Sequence, residues 1–460
     1  MATYYISTTG SDAPAVIGSE ASPWATLSYA ISHADATAVT ISGGGSGYSD
    51  GTGIATTGGT GTGLKVDITT VAGAITAATV DEAGTGYTDG DIVTVDGGTG
   101  GTLEVTGPFA LADGDTIKVK DGTYVETVET EINLSNLTIT SESGDKSTVT
   151  ISNTLNQYWI NLWKGTTGTV IKDLTFTQMS TVGSYSVCFR GYIGGSGTYA
   201  VATFQDCNIN AIERAFENFG SGTVIQRCAI SAMGSGTSKM YAIQLSGLST
   251  NVTIDSCLIK DFYKYGIYAS NNDSGGTPAR TTIRNCTIIS PEDPLDGAYG
   301  ILTYGTENTI LNTVVYSYQT GGDEGYDYAV RFGVSSQATT QGRMLVAAGV
   351  YTQAYWLREG APTVTEQLET QVPNVEDPPY NGALFVDLAG GDYHPDPAGI
   401  LYQRGYATSF PATDLNGNAF NNPPSIGCLE EEPSGGGGPT NSVVKSMGGG
   451  LLSSPFTLTP

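Results

Sequence analysis

The chain has 460 residues, 63 of them Gly, and a formal net charge of −26. This acidic excess excludes nucleic acid as a partner, since phosphate binding needs clustered Lys and Arg, and it disfavours an anionic membrane surface. No stretch approaches the ~20 apolar residues of a membrane span, and the segment after Met1 has neither the basic nor the apolar region of a secretory signal. Six Cys in a chain of this length do not form a disulfide scaffold.

Residues 1–36 predict an N-terminal strand followed by a short helix. Ser22 is suited to be the N-cap, with Pro23 at the first helical position. Beyond them, Leu27, Ala30 and Ile31 recur at helical spacing and would form one apolar stripe. A helix of this kind would cover the open end of a stacked β-structure, where a bare sheet edge invites aggregation.

Residues 37–107 predict a small Gly-rich β-domain of two similar units. A Gly-Tyr-(Ser/Thr)-Asp-Gly motif occurs at 47–51 and again at 86–90, and a Gly-Gly-Thr-Gly motif occurs at 58–61 and at 97–100, each offset by 39 residues. Alternating strand-like segments lie between them. These motifs resemble modules common in bacteriophage virion proteins. A decorative domain that binds no ligand is the other interpretation.

Between residues 108 and 430 a short pattern recurs in seven rows. Each row has an apolar residue, two mostly polar residues, a middle residue, and a second apolar residue two positions further on. The middle residues are Leu137, Leu174, Cys207, Cys228, Cys257, Cys286 and Thr313. The spacing of three between the first and middle positions breaks strand alternation. We therefore expect a bend at the two intervening residues, which returns the apolar side chains to one interior.

A second ladder, of tyrosines, lies between these rows. Its members are Tyr185, Tyr241, Tyr265, Tyr299, Tyr328 and Tyr355, each followed two residues later by an aliphatic residue. Two or three short strands in each row, with Gly-rich turns, are typical of the coils of a parallel β-helix. About nine coils, stacked about 4.8 Å apart, would make a rod ~40–45 Å long. The four Cys then form a buried column, which does not supply the convergent ligands of a metal site.

Several segments resemble the right-handed parallel β-helix proteins of the pectate-lyase-like superfamily. They are residues 4–12 and 22–31 at the N-terminus, 113–124 in the first full coil, and 382–387, 392–394, 414–418 and 425–429 near the C-terminus. The resemblance implies an all-β chain: a right-handed parallel β-helix over residues 108–430, with a capping helix, an inserted β-domain and a closing segment. It is weak for function, because this fold hosts lyases, hydrolases, epimerases, adhesins and phage tailspikes.

Residues 431–460 predict a flexible Gly-rich linker and a tail. Four consecutive Gly at 435–438 favour flexibility. Apolar residues on the otherwise polar tail would form a peptide that docks on a partner. These partner-binding candidates are Val443, Val444, Leu451, Leu452 and Phe456. A disordered tail without a partner is the alternative.

The sequence contains no motif that assigns a catalytic residue. Neither His33 nor His394 lies beside a nucleophile motif, and residues 414–418 match part of a calcium loop but lack its distal Glu, which favours a turn. Glycoside hydrolysis needs two carboxyl groups about 5–10 Å apart. The candidates for such a pair are Asp173, Asp206, Glu213 and Glu217. Because polar residues recur before every middle position, a solvated column of turns explains the two Asp equally well.

The sequence favours a structural virion protein of a bacteriophage, in which the β-helix forms a rigid projection such as a tailspike, fibre or head decoration. It would be located in the virion, bind other virion proteins through its tail, and have host surface polysaccharide as a candidate ligand. A homotrimer is an expectation from the family alone; outward residues such as Leu258 and Val314 could contribute to an interface.

Two other classes of function remain open at this point. A carbohydrate-active enzyme of the same fold, either a polysaccharide hydrolase or a lyase, is the main alternative. A bacterial surface adhesin is a third class, and it would require an export signal upstream of Met1. No cofactor and no metal ion is expected in the leading interpretation.

Overall fold

A computed structural model gives the structure of the protein. It describes residues 2–13, 18–32, 36–85, 87, 90–109, 111–155, 158–178, 187–191, 198–232, 241–246, 249–262, 264–269, 280–289, 299–303, 308–317, 328–332, 340–342, 345–348, 353–357, 365–367, 385–387, 390–399, 401–403 and 412–430. The predicted linker and docking tail, with Val443, Val444, Leu451, Leu452 and Phe456, lies outside the described residues, and so does His33.

The N-terminal segment contains strand β1 (Thr3–Ile6) and helix α1 (Leu27–Ser32). The prediction of Ser22 as the N-cap with Pro23 first in the helix is wrong. Thr26 is the N-cap, because its Oγ1 accepts the backbone N–H of Tyr29 at 3.2 Å. Residues 22–26 are instead held in an irregular segment, in which Trp24 forms a β-bridge with Ile6.

Helix α1 is fixed against the first coil by a buried carboxylate. Glu126 accepts the backbone N–H groups of Leu27 at 2.7 Å and Ser28 at 3.1 Å, which satisfies two donors that a helix start leaves free. The predicted stripe is confirmed, since Leu27, Ala30 and Ile31 are buried in the main hydrophobic core. The helix therefore covers the end of the solenoid, as its apolar face predicts.

The insert forms a six-stranded antiparallel sheet of its own. Its strands are β2 (Ala36–Ser46), β3 (Gly51–Gly58), β4 (Thr62–Val71), β5 (Ala74–Thr85), β6 (Ile92–Val95) and β7 (Thr99–Phe109), in the order β2-β7-β6-β3-β4-β5. The first strand of each unit pairs with the last strand of the other, β2 with β7 and β5 with β4. The sheet has a hydrophobic cluster of its own, and this cluster includes Leu64, Val66, Val93, Leu103 and Val105.

The two repeated motifs of the insert pack against each other. A Cβ atom added to Gly98 would lie 2.5 Å from the ring of Tyr48, and one added to Gly61 would lie 2.4 Å from the ring of Tyr87. The tyrosine of each unit thus packs against a glycine of the other unit's Gly-Gly-Thr-Gly motif. Both tyrosines are buried, so the sequence repeat corresponds to two reciprocal packing contacts between the two units.

The solenoid consists of short strands that follow one another around each coil. In chain order they are β8 (Thr116–Val119), β9 (Gly122–Glu126), β10 (Thr130–Ile132), β11 (Thr138–Ser141), β12 (Val149–Asn153), β13 (Tyr158–Leu162), β14 (Thr169–Lys172), β15 (Thr175–Gln178), β16 (Val187–Arg190), β17 (Ala202–Gln205), β18 (Asn208–Ala211), β19 (Arg214–Glu217), β20 (Val224–Gln226), β21 (Ala229–Ala232), β22 (Tyr241–Leu245), β23 (Thr253–Asp255), β24 (Leu258–Lys260), β25 (Tyr265–Ala269), β26 (Thr282–Arg284), β27 (Thr287–Ile289), β28 (Tyr299–Thr303), β29 (Thr309–Leu311), β30 (Val314–Ser317), β31 (Tyr328–Phe332), β32 (Thr340–Gly342), β33 (Leu345–Ala348), β34 (Gln353–Leu357) and β35 (Thr365–Gln367).

These strands form three parallel sheets, each taking every third strand. The first sheet joins β1 to β8 and continues to β35, the second runs from β9 to β33, and the third runs from β10 to β34. The second and third sheets have nine strands each, which agrees with the expected number of coils. The rows from Ile171 onward lie in register, as Ile171, Phe204 and Ile225 show in the first sheet. The predicted row that begins at Leu134 is wrongly aligned, because its last residue, Ile139, pairs with Ile171, the first residue of the next row. The chain is therefore a right-handed parallel β-helix, as its sequence predicts.

The expected bend in each row is a single residue in the left-handed backbone region. The residue before each middle position has a positive φ, between 44° and 58°. These residues are Asn136, Asp173, Asp206, Arg227, Ser256, Asn285 and Asn312. Asn and Asp tolerate this conformation better than most residues do. From Asp173 onward the bend joins the first sheet to the second and keeps the flanking apolar side chains in one core. Asn136 instead lies between β10 of the third sheet and β11 of the first.

The tyrosine ladder is correct in its centre and wrong at its two ends. Tyr241, Tyr265, Tyr299 and Tyr328 are in register along the third sheet. At one end Val187 takes this position, and Tyr185 lies outside the described residues. At the other end Gln353 takes it, and Tyr355 pairs with Val330. The register is set by the inward column that includes Phe216 and Ile243. A Tyr–x–aliphatic pattern alone therefore misplaced two of the six predicted ladder tyrosines.

The four row cysteines form the expected buried column. All six Cys of the chain are buried and unpaired. Each row thiol donates to the carbonyl oxygen two residues before it at 3.1–3.3 Å. Burial raises the pKa of the Cys207 and Cys257 thiols well above the ordinary range. The column therefore acts as small apolar packing.

The closing segment lies along the flank of the solenoid. It contains the antiparallel strands β36 (Phe385–Asp387) and β37 (Asp392–Pro395) and the irregular residues 412–430. Its apolar side chains pack on the outer face of the second sheet, in a cluster formed by Ala229, Leu258, Ile289, Val314, Phe385, Tyr393, Leu401, Leu415, Ile426, Cys428 and Leu429. The expectation that Leu258 and Val314 are available for an interface is therefore wrong, since both are fully buried under this segment.

The partial calcium-loop motif is a turn that organises the closing segment. Asp414 is buried, and its Oδ1 accepts the backbone N–H groups of Asn416 at 2.9 Å and Asn418 at 2.7 Å. Its Oδ2 accepts the N–H of Glu430 at 3.0 Å. Both carboxylate oxygens are thus engaged with backbone donors, which agrees with the turn interpretation.

Candidate functional site

The outer face of the third sheet carries two columns of large polar and aromatic side chains. The first column contains Tyr158, Val187, Arg214, Tyr241, Tyr265 and Tyr299, in register along the sheet. The second column contains Glu131, Asn161, Arg190, Glu217, Gln244, Tyr268 and Leu302. Parallel strands about 4.8 Å apart repeat these side chains along the axis of the rod.

The C-terminal half of this face is a closed stack of tyrosines. The ring centroids of Tyr241 and Tyr265 are 5.0 Å apart at 15°, and those of Tyr265 and Tyr299 are 5.2 Å apart at 5°. Tyr268 packs against the stack from the second column, 4.6 Å from Tyr241. Because the ring faces contact one another and Tyr241 and Tyr299 are buried, this half stabilises the sheet and offers little aromatic surface.

The N-terminal half of the face is open and presents an exposed indole. Trp163 directly follows strand β13, and 40% of its surface is exposed. Its Nε1–H donates to Oε2 of Glu131 at 3.1 Å, which orients the ring. Glu131 and Glu129 are themselves exposed beside it. This half of the face therefore offers an exposed aromatic ring that a carboxylate holds in place. The tyrosine stack, whose rings contact one another, offers no such binding surface.

Two arginines and a buried glutamate lie next along the face. The guanidinium of Arg190 lies 4.0 Å from the ring centroid of Tyr158. Glu217 pairs with Arg214 at 3.1 Å through Oε1, and its Oε2 lies 3.8 Å from Nε of Arg190. Cation–π contact and ion pairing thus hold both arginines in fixed positions.

Among the described residues, the second column contains buried acceptor atoms that accept no hydrogen bond. They include Oδ1 of Asn161, a residue with no exposed surface, and Oε2 of Glu217, a residue that is 8% exposed. The amide nitrogen of Asn161 donates to Oε1 of Glu129, so this amide contacts the open half of the face. Unsatisfied buried acceptors are costly, and both atoms are buried in the packed sheet, out of reach of a surface ligand.

The electrostatics of the open half favour a proton or a cation. Burial, and secondly repulsion by Glu131, raise the pKa of the Glu129 carboxyl. The hydrogen bond from Asn161 and the charge of Arg190 oppose this rise only in part.

Two of the four carboxylates predicted from the sequence, Asp173 and Asp206, lie at the bend between the first and second sheets. Asp173 pairs with Lys172 at 3.3 Å and accepts a hydrogen bond from Thr140 at 3.2 Å. Burial raises the pKa of Asp173. These contacts occupy its carboxylate at the corner of the coil, away from the third sheet.

Asp206 has a different partner in the same column. It forms a bidentate pair with Arg227, at 2.8 and 2.9 Å. Burial, the largest influence, raises the pKa of Asp206, but hydrogen bonds from Arg227 and Gln205 outweigh it and leave the pKa lowered. The ionised carboxylate of Asp206 thus stabilises the coil through its bidentate pair with Arg227.

Glu213 and Glu217 lie at the third sheet, and only Glu217 belongs to the outer columns. Glu213 is buried just before strand β19, and Glu217 ends that strand. The structure thus divides the four candidates between two places, instead of gathering them in one groove. Among the described residues, no group of three or more His, Cys, Asp or Glu is arranged to hold a metal ion.

Trp163, Glu131 and Glu129 are not among the site residues predicted from the sequence. A signal for Trp163 was present, because Trp163 precedes the Gly165 turn and falls outside every apolar row. A large aromatic residue outside the repeating core pattern is a candidate for the surface. The two glutamates carry no comparable signal, since their proximity to Trp163 depends on the register between strands β10 and β13.

The comparison with family models agrees with the observed fold. Residues 121–315 match the family model described as a right-handed β-helix region. Similar solved structures include the A-module of the mannuronan C-5 epimerase AlgE4 of Azotobacter vinelandii, with 10% identity over 55% of this chain and 91% of that chain and a TM-score of 0.34. Pectate lyase Pel9A is 12% identical over 70% of this chain and 89% of that chain, with a TM-score of 0.37.

A phage protein is also among these structures. The ORF18 protein of Geobacillus virus E2 is 12% identical over 54% of this chain and 55% of that chain, with a TM-score of 0.36. None of these likenesses bears on the chemistry of the present chain. A search of the curated proteins found no match. In the part of the chain that the structure describes, no helix has the length and apolar character needed to cross a membrane. What the sequence, the structure and the family match share is a right-handed parallel β-helix.

Proposed function

We propose that the chain is a structural virion protein of a bacteriophage, in which the β-helix forms a rigid projection and binds host surface glycan. The rigid part of this proposal is supported by a single core that runs through successive coils, from Leu137 to Val315. A continuous dry interior of this kind suits an elongated body that must keep its shape. The repeated motifs of the insert resemble modules of virion proteins, which supports the same assignment.

The open half of the third sheet carries the proposed binding role. There, exposed Trp163 directly follows strand β13, and its indole N–H donates to the exposed Glu131. Glycans offer flat C–H surfaces to an aromatic ring and hydroxyl donors to an exposed carboxylate. This combination of one aromatic platform and an adjacent carboxylate is the observation on which the proposal depends.

Binding is tested with immobilised polysaccharides from candidate host surfaces. Wild-type protein should bind at least one of them, and Trp163→Ala should lose most of this binding because the platform is removed. Val386→Ala, which shortens another exposed apolar side chain on the closing segment, is the matched control and should bind as the wild type does. Equal binding by wild type and Trp163→Ala would contradict the proposed site.

The virion role has a separate test in purified particles. Mass spectrometry should find the full chain in the particle, and deletion of residues 439–460 should prevent its incorporation, because the apolar tail is proposed to dock on other virion proteins. Unchanged incorporation of the shortened chain would refute the docking role of Val443, Val444, Leu451, Leu452 and Phe456. Absence of the chain from the particles would refute the virion role itself.

A glycan-cleaving enzyme is the second candidate function, favoured by the Glu129–Glu131 pair. The carboxyl groups of both residues lie at the third sheet, since Asn161 donates to Glu129 and Trp163 donates to Glu131, and glycosidases act through a pair of carboxyl groups. Glu129, with its raised pKa, would be the acid. Release of new reducing ends or of unsaturated sugars from a bound glycan would establish this activity, and binding without products would exclude it.

A further inference from the structure

We infer that the binding face has a second subsite, formed by the Arg190 guanidinium over the ring of Tyr158, and that a bound glycan lies across the rod between this subsite and Trp163. The inference rests on the proposed glycan-binding function and adds a further part to the same site. The juxtaposition that carries it is the position of two aromatic residues at opposite ends of strand β13, which begins at Tyr158 and is followed directly by Trp163.

Both ends of this strand have accessible surface. Trp163 is 40% exposed, and the side chain of Arg190 is 23% exposed. The guanidinium carbon lies 4.0 Å from the centroid of the Tyr158 ring, so one face of this flat group is against the ring and the other is turned away from it. A guanidinium held in this way presents a planar surface with N–H donors at its edge to a ligand.

Exposed carboxylates lie on the path between the two ends. Glu131 accepts the indole N–H of Trp163 at 3.1 Å. Glu129 accepts the side-chain amide of Asn161, and the charge of Arg190 acts on it. Both glutamates are exposed. The hydroxyl groups of a chain that passes from Trp163 to Arg190 would thus meet acceptors along the way.

The direction across the rod follows from burial along its axis. The third sheet begins at strand β10, so this face ends at Glu131 on the N-terminal side. Beyond Arg190, the next residues of the second column are Glu217 and Gln244, which are only 8% and 5% exposed. Among the described residues, a chain along the axis would therefore leave the exposed part of the face, whereas a chain across the axis contacts both aromatic residues.

The spacing of the two aromatic residues sets a minimum length for the ligand. Tyr158 and Trp163 are five positions apart on an extended strand, so their Cα atoms lie at most about 17 Å apart. A disaccharide is too short to contact both ends, and a tetrasaccharide spans them. At the Arg190 end the sugar must offer acceptors, because a guanidinium has only donors, and at the Trp163 end it must offer hydroxyl donors to Glu131.

The test is a calorimetric titration of the full chain with oligosaccharides of two, four and six residues, prepared from a host polysaccharide that it binds. The four-residue fragment should bind at least about tenfold more tightly than the two-residue fragment, because one molecule then engages both subsites. The six-residue fragment should gain little more, since the described face offers no third subsite in line with these two.

Two variants of the second subsite should remove most of this gain and leave binding of the two-residue fragment at Trp163 unchanged. They are Tyr158→Leu, which removes the ring, and Arg190→Lys, which keeps a positive charge beside Glu217 and loses the planar group. Retained binding of the short fragment shows that the variant is folded.

Tyr5→Leu is the matched control. The ring of Tyr5 lies on the first sheet under two ammonium groups, those of Lys118 at 5.8 Å and Lys120 at 5.5 Å. The substitution therefore removes a comparable cation–π contact from another face of the rod. This variant should bind every fragment as the wild type does.

The outcomes separate this inference from the proposed function. An affinity that does not rise between two and four residues would overturn the inference and leave glycan binding at Trp163 in place. A gain that persists in both Tyr158→Leu and Arg190→Lys would also overturn it, because the second contact would then lie elsewhere. If neither the host polysaccharides nor any fragment binds, the proposed binding function and the inference fail together.

Discussion

The outer faces of the second and third sheets have the same backbone geometry and opposite roles. On the second sheet, the outward residues Ala229, Leu258 and Val314 are apolar, and the chain's own closing segment covers them. On the third sheet, the outward columns hold tyrosines, arginines and glutamates. The outward side chains therefore determine what each face binds. The apolar column is covered by the chain's own closing segment, and the polar column remains available to a ligand.

The largest effect should come from damage to the covered face. Leu258→Ala leaves a cavity between the second sheet and the closing segment, and should lower the free energy of unfolding by about 2–5 kcal/mol. The matched change on the third sheet, Trp163→Ala, should alter it by only about 0.5 kcal/mol, since its ring is exposed. Denaturant unfolding of the two variants measures the contrast. Equal losses would remove the distinction between the two faces.

A smaller effect is expected at the bend between the first and second sheets. Arg227→Ala leaves the half-buried Asp206 carboxylate without its bidentate partner, and should cost about 1–3 kcal/mol. Because the pKa of Asp206 is lowered in the folded chain, the stabilising contribution is present above the ordinary carboxyl range. It is lost as the pH falls through the folded-state pKa.

The pH series gives this prediction its check. The difference in stability between the wild type and Arg227→Ala should be constant near neutral pH and should shrink in acid. Measurements of unfolding midpoints between pH 7 and the acid range test it. A difference that grows in acid would show that the pair does not stabilise the folded chain through an ionised Asp206.

The smallest perturbation tests the dry interior that both faces share. The row cysteines are fully buried, and burial raises the thiol pKa of Cys207 and Cys257. Their reaction with a thiol reagent should be very slow in the native protein and rapid after unfolding. Fast labelling of the native chain would place these thiols outside the core.

The sequence was sufficient for features that repeat along the axis. Six of the seven predicted rows share one structural frame and predicted the core, and the interrupted alternation predicted the bend at positions such as Asp173 and Asn285. Repetition averages out local exceptions, since each row samples the same environment. Features that occur once were predicted less well. The helix start at Leu27 depends on Asp12 and Glu126, which are distant in sequence.

The candidate site could not be predicted for the same reason. Trp163, Glu131 and Asn161 come together only through the register of strands β10 and β13, and nothing in their local sequence marks that register. The position of the closing segment is a similar case. Leu258 and Val314 are recognisable as outward apolar residues, but the segment that covers them begins more than 70 residues after Val314.

The most direct test of the account is hydroxyl-radical footprinting, read by mass spectrometry, with and without a bound glycan. In the free protein Trp163 should be strongly oxidised, whereas Tyr241 and Tyr299 should be protected by their burial. Glycan should protect Trp163 and leave the two tyrosines unchanged. Protection that appears elsewhere, with Trp163 oxidised equally in both states, would contradict the claim that the open half of the third sheet is the binding face.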